Sequence, residues 1–209
     1  MNLPNKLSLT RILLIPVILL FMLPISLPGI DASGWNAFIS EYGMIIAAVL
    51  FVIASVTDLI DGKIARKYNL ITNLGKFLDS LADKMLVISV LIALVDLNRI
   101  SSVWVCIVVL REFAVTGIRM LASAQGVVMA AKMIGKIKTV FQMIAITYLM
   151  FESLLIRILE FLFKGWGHAS IVDTVQCVGN ILFLISIAMT IISGMDYLLK
   201  NLKYFKENE

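Results

Sequence analysis

Six apolar runs, at about 12–27, 43–60, 77–95, 102–122, 138–160 and 175–199, limit what this chain can become. Each approaches the ~20 apolar residues with which a helix crosses the hydrocarbon core of a bilayer. Inside lipid a segment must satisfy its own backbone polar groups, so runs of this kind imply helices. Spans and short loops then use up all 209 residues and leave no room for a separate soluble domain. Composition agrees. The chain is 60% hydrophobic and 15% charged, against about 45–50% and about 25% in an average soluble domain. That balance excludes a soluble globular domain, a disordered chain and a disulfide-rich secreted module. The fold predicted is all-α, a polytopic membrane protein with six transmembrane helices in one domain, 1–209.

The first run follows Lys6 and Arg11, as in a signal peptide. No small-x-small cleavage site ends it, and it reads as a first membrane helix. Pro4, Pro16, Pro24 and Pro28 gather there and predict a kink or a short preceding helix, with 1–11 as a cytoplasmic interfacial segment. Cys106 and Cys177 lie in apolar runs and read as small apolar side chains.

Six spans put both termini on one side. That side carries Lys6, Arg11, Lys63, Arg66, Lys67, Lys76, Arg119, Lys132, Lys136, Lys138, Lys200, Lys203 and Lys206, while the opposite loops carry Arg99, Arg157 and Lys164. Thirteen cations against three predict cytoplasmic termini, with 200–209 as a cytoplasmic tail. The net charge of +4 fits anionic lipid or an anionic substrate rather than nucleic acid. Trp35, Trp104 and Trp166 fall near the opposite interface, as an aromatic belt would. His168, the only histidine, falls in a loop on that side and reads as a surface residue.

The chemistry is concentrated between 58 and 83. Asp58 and Asp61 share one face of the second span at i, i+3, and Asp79 and Asp83 share one face of the third at i, i+4. If these spans are antiparallel neighbours, four carboxylates converge. An ionised carboxylate at a helix centre costs about 2.5–3.5 kcal/mol on insertion scales, and four repel one another, so a divalent cation is the natural compensation. With only oxygen ligands, and no His or Cys nearby, the ion is hard: Mg²⁺ or Mn²⁺, with room for two. Such ions complete their shells with phosphate oxygens and suit phosphoryl displacement. Gly62, Ala65 and Gly75 remove bulk beside the carboxylates. Arg66 offers a donor fork to a diphosphate.

The full pattern is Asp58-x-x-Asp61-Gly62-x-x-Ala65-Arg66, eight residues, then Gly75-x-x-x-Asp79-x-x-x-Asp83. Eight fixed positions at ~5–7% usage each match by chance on the order of once in several billion windows, so a set of unrelated helix-end charges is a poor explanation. The pattern resembles the signature of the CDP-alcohol phosphotransferases at every position. That resemblance implies a six-helix membrane enzyme, commonly a homodimer, which moves a phosphatidyl or related group from a CDP-linked donor to an alcohol and releases CMP. It implies that Asp58, Asp61 and Asp79 bind one metal and that Asp58, Asp79 and Asp83 bind a second. It makes Asp83 the general base, lines the CDP site with Asp61, Gly62, Ala65 and Gly75, and gives the diphosphate to Arg66.

Three stretches narrow the acceptor. Asn2 to Arg11, Arg111-Glu-Phe-Ala-Val-Thr-Gly-Ile-Arg119 and Gly135-Lys-Ile-Lys-Thr-Val-Phe-Gln-Met143 resemble bacterial members of that family that form phosphatidylglycerol phosphate. CDP-diacylglycerol is then the donor and glycerol 3-phosphate the acceptor. Arg111, an intramembrane cation beside Glu112, is a functional candidate by default. With Arg119, Lys136 and Lys138 it would hold the acceptor phosphate, whereas serine, a zwitterion, would not need it. Inositol phosphate or serine as acceptor stays open, as does a divalent metal transporter. A transporter would be expected to hold its carboxylates near the midplane, between repeats or broken helices.

Overall fold

The computed structural model describes residues 3–26, 28–29, 31–67, 73–124, 133–163, 165 and 167–201, with side chains at all of these except 3–5, 59–67, 73, 74, 76 and 124. Among the described residues the chain is all-helical. The elements are α1 (Leu3–Met22), the short α2 (Ser33–Phe38), one π-helical turn (Ile39–Gly43), α3 (Met44–Lys67), α4 (Asn73–Asp96), α5 (Ser102–Ala124), α6 (Met133–Leu162) and α7 (His168–Asn201).

Several helices outrun their apolar stretches, because packing against protein extends them. α1 starts at Leu3 and runs unbroken through Pro16. Its polar N-terminal half is helical because Ser8 and Arg11 are buried against neighbouring helices. Pro24 follows two residues after its end. Beyond Pro24 the side chain of Asn36 accepts from the Ile25 N–H and donates to the Ile25 carbonyl, each at 2.9 Å. Both backbone groups of that turn are thereby satisfied.

α1 lies between α3 and α4, which barely touch each other; α3 also packs on α6, α6 runs along α7, and α5 lies against α7 and α4. Ile18, Phe51, Leu86, Val90, Ile146 and Met150 form the shared apolar core. Ala47 and Ala48 keep the α3 side of it thin, so backbones come close. Contact pairs give the directions. Arg11 meets Asp58 while Phe21 lies beside Gly43, and Gly135 lies beside Ser193 while Glu152 lies beside Gly179, so α1 opposes α3 and α6 opposes α7. Arg111 meets Ser193 and Arg119 meets Tyr197, so α5 and α7 run parallel.

Leu13, Ile53, Leu110, Phe113, Met120 and Phe161 are large, apolar and exposed. A soluble protein rarely shows so much apolar surface, and lipid is the solvent it fits. Three stretches have the length and apolarity of a membrane span among the described residues: Ser33–Asp58, Met133–Leu162 and His168–Asn201. α4 and α5 carry Asp79, Asp83 and Lys84, and Arg111, Glu112 and Arg119, which interrupt their apolar character. Cys106 and Cys177 are free and exposed. Trp35 lies between Phe21 and Phe38 in tilted ring contacts at 5.5 and 5.8 Å, Trp104 packs on the core, and Trp166 lies outside the described residues. His168 is the first residue of α7, exposed and paired with Glu160.

The end of the bundle away from the Asp cluster is closed by a clamp. Asn98 takes a left-handed φ of 55°. The Asn98 N–H bonds the Val95 carbonyl and the Arg99 N–H bonds the Leu94 carbonyl, both at 2.9 Å, a Schellman ending for α4. This turn aims Arg99 back at the bundle. Its Nε and Nη2 donate to the two Glu152 oxygens at 2.5 Å each, and its Nη1 donates to Asn180 Oδ1 at 2.9 Å. The α4–α5 turn, α6 and α7 are thus tied at one point. A Cβ at Gly179 would overlap the Glu152 carboxylate and come within 3.1 Å of Arg99 Nη2, so glycine leaves the space this ion pair occupies. Arg99→Leu leaves the Glu152 carboxylate buried without its partner, and should cost about 3–5 kcal/mol. The double change Arg99→Leu/Glu152→Leu should lose less than the sum of the singles in thermal unfolding in detergent. Strict additivity would contradict the clamp.

Candidate active site

The carboxylates stand where α3 ends and α4 begins, and α1 supplies the charge between them. Arg11 Nη1 lies 2.5 Å from Asp58 Oδ1 and 3.5 Å from Asp79 Oδ1. The Arg11 side chain is 2% exposed, while Asp58 and Asp79 are 29% and 50% exposed. One buried guanidinium nitrogen therefore draws a carboxylate from each of two helices towards one spot. Direct packing of the second and third spans was the expected route to this convergence. Instead α1 is wedged between α3 and α4, and the carboxylates meet across it.

Asp61, Gly62, Ala65 and Arg66 lie in the last turns of α3, and their side chains are outside those described. Gly75 lies in the first turn of α4, half-buried. Among the described residues no three metal-binding side chains gather into one ion-sized cluster.

Asp83, one turn beyond Asp79, faces a second group. With Lys84, Glu112, Lys138, Thr139 and Gln142 it lines a cavity of about 30 Å³ between α4, α5 and α6. Glu112 is the hub of the cations. Its Oε1 accepts from Arg111 Nη1 at 3.0 Å and pairs with Lys138. Arg111 also donates through Nη2 to Ser193 Oγ at 2.7 Å. A Cβ at Gly194 would come within 2.9 Å of Arg111 Cγ, so this glycine makes room for the arginine stem against α7.

Of the four cations assigned to the acceptor phosphate, Arg111 and Lys138 are thus brought together. Arg119 lies two turns further along α5, its guanidinium 5.5 Å from the Tyr197 ring centre. Lys136 is exposed while Lys138 is buried, because residues two apart on a helix point to different faces. Lys132 is outside the described residues.

Sequence reasoning missed Arg11 as a site residue, having counted it among the cytoplasmic cations. Its signal was an arginine on a face that continues into an apolar helix. Gln142 was quoted only within the 135–143 stretch and not as a site residue, although it follows Lys138 by one helical turn.

The family model for CDP-alcohol phosphatidyltransferases matches residues 1–195. The chain belongs to the CDP-alcohol phosphatidyltransferase family. Curated relatives agree. A CDP-diacylglycerol–glycerol-3-phosphate 3-phosphatidyltransferase of Bacillus subtilis (strain 168) is 38% identical over 206 residues, covering 98% of this chain and 97% of the relative. One of the same name from Rickettsia felis is 36% identical over 205 residues, covering 98% and 97%. Another from Shigella flexneri serotype 5b is 31% identical over 204 residues, covering 94% and 93%. CDP-alcohol phosphatidyltransferases depend in general on divalent metal ions.

In this member of the family, Arg11 is the group whose loss tests the site's electrostatics. Arg11→Met removes a charged hydrogen-bond donor shared by two carboxylates and should lower stability by about 1.5–3 kcal/mol. Millimolar Mg²⁺ should restore much of the melting temperature in detergent, since a cation relieves the same repulsion. A variant as stable as the parent, or one indifferent to Mg²⁺, would contradict this reading.

Proposed function

We propose that this chain transfers the phosphatidyl group of CDP-diacylglycerol to glycerol 3-phosphate, giving phosphatidylglycerol phosphate and CMP. The observation that carries the proposal is nearly full-length similarity to enzymes of that name from separate bacterial lineages. The six long helices cross the cell membrane, with both termini and the active site facing the cytoplasm. The alternating helix directions and the cation excess at the end with the termini support this arrangement. The residues act as one membrane-embedded domain, with 1–11 at the cytoplasmic interface and 200–209 as a tail. The family resemblance supports a homodimer.

The donor set fits a hard divalent ion, because Asp58 and Asp79 already turn oxygens towards a single positive centre. Asp58, Asp61, Asp79 and Asp83 would hold Mg²⁺ or Mn²⁺, two ions by family likeness, and these would neutralise charge developing on the diphosphate. Asp61, Gly62, Ala65, Arg66 and Gly75 receive the CDP moiety. Arg111, Arg119, Lys136 and Lys138 hold the phosphate of the acceptor, with Glu112 fixing Arg111 and Lys138 in place. Asp83 takes the proton from the primary hydroxyl. The freed oxygen bonds to the phosphorus bearing diacylglycerol, the bond from that phosphorus to the CMP oxygen breaks, and CMP leaves. Positioning and electrostatics supply the rate, and no covalent enzyme intermediate is needed.

Labelled transfer in detergent tests the reaction. CDP-diacylglycerol with Mg²⁺ should release CMP with glycerol 3-phosphate, but not with serine or inositol phosphate. Release with another acceptor alone would overturn the acceptor and keep the metal chemistry. Asp83→Asn should lower kcat at least about a hundredfold while the KM for the donor moves far less. Normal turnover by that variant would remove Asp83 from its role as base.

A further inference from the structure

The small cavity beside Asp83 contains a polar group the mechanism does not yet use. Gln142 is 4% exposed, and its Nε2 is buried with no hydrogen-bond partner. The other donors on this wall are engaged: Lys138 with Glu112, Lys84 Nζ with Ser80 Oγ at 3.2 Å, and Thr139 Oγ1 with the Gly135 carbonyl at 3.1 Å. An orphaned buried amide is expensive to fold around, and one that lines a cavity is a ready-made ligand contact. The cavity holds about 30 Å³, roughly twice what one water requires. It has room for a small hydroxyl-bearing group.

We infer that Gln142 is a specificity residue for the acceptor, its amide donating a hydrogen bond to the secondary hydroxyl of a polyol phosphate whose primary hydroxyl is held by Asp83. The inference rests on the reading of glycerol 3-phosphate as acceptor and Asp83 as base. The cavity offers an acceptor of protons, the Asp83 carboxylate, and a donor, the Gln142 amide, which matches two hydroxyls on adjacent carbons. The paired cations Arg111 and Lys138 lie on the same side of the site, where the phosphate of such a molecule would reach. A single hydroxyl without a neighbour would leave the amide unpaired, and a site built to bond a hydroxyl rejects the analogue that lacks it.

The test compares glycerol 3-phosphate with 3-hydroxypropyl phosphate, which lacks the secondary hydroxyl. The parent enzyme should prefer glycerol 3-phosphate at least about tenfold in kcat/KM. Gln142→Met keeps the bulk and removes the donor. It should raise the KM for glycerol 3-phosphate about tenfold, leave the analogue and the KM for CDP-diacylglycerol unchanged, and so abolish the preference. Gln142→Asn, which keeps an amide on a shorter stem, should retain part of the preference. Equal use of both acceptors by the parent would overturn the inference without any variant. So would a Gln142→Met enzyme that keeps the full preference, or one that loses activity equally with both acceptors. No CMP release by the parent with either acceptor would instead overturn the function itself and the inference with it.

Discussion

A guanidinium held between two carboxylates organises one end of this bundle. Arg11 is nearly inaccessible, and Asp58 and Asp79 approach it from two different helices. Buried charge of this kind persists only when opposite charge meets it at close range. The requirement accounts for α1 occupying the space between α3 and α4, for its polar N-terminal half being helical, and for Asp58 and Asp79 both leaning towards it. Without α1 those helices would present repelling carboxylates across a gap. With it, a positive charge stands between the two carboxylates.

The same logic recurs at two other places. Glu112 joins Arg111 and Lys138, which would otherwise repel each other inside the bundle, and so creates a compact cationic surface next to Asp83. At the far end, Arg99 and Glu152 tie the α4–α5 turn to α6 and α7. In a lipid environment apolar burial does little to hold helices together, and polar contacts with close packing at small residues carry more of the association. Gly179 and Gly194 serve the two arginines directly, each leaving the volume that a side-chain methyl would take from Glu152 or Arg111.

Much of this was legible in the sequence. Six apolar runs foretold the long helices, because period and length suffice when the solvent is lipid. The spacing of Asp58, Asp61, Gly62, Ala65, Arg66, Gly75, Asp79 and Asp83 pointed to the ends of α3 and α4, where Asp58 and Asp79 do approach a common partner. What could not be read was which helices touch. Asp58 and Asp79 look like members of adjacent spans, and only the packing reveals α1 between them. Arg11 was therefore classed by its side of the membrane rather than by its partners. Lys136 and Lys138 looked equivalent by charge. The helical phase separates them, one exposed and one buried against Glu112.

The central claim is that the carboxylates of α3 and α4 form one cation centre around the α1 wedge. Titration of the detergent-solubilised protein with Mn²⁺, followed by electron paramagnetic resonance, tests it without depending on turnover. The account predicts saturable Mn²⁺ binding that is lost or strongly weakened in both Asp58→Asn and Asp79→Asn. Binding in either variant as tight as in the parent protein would contradict it.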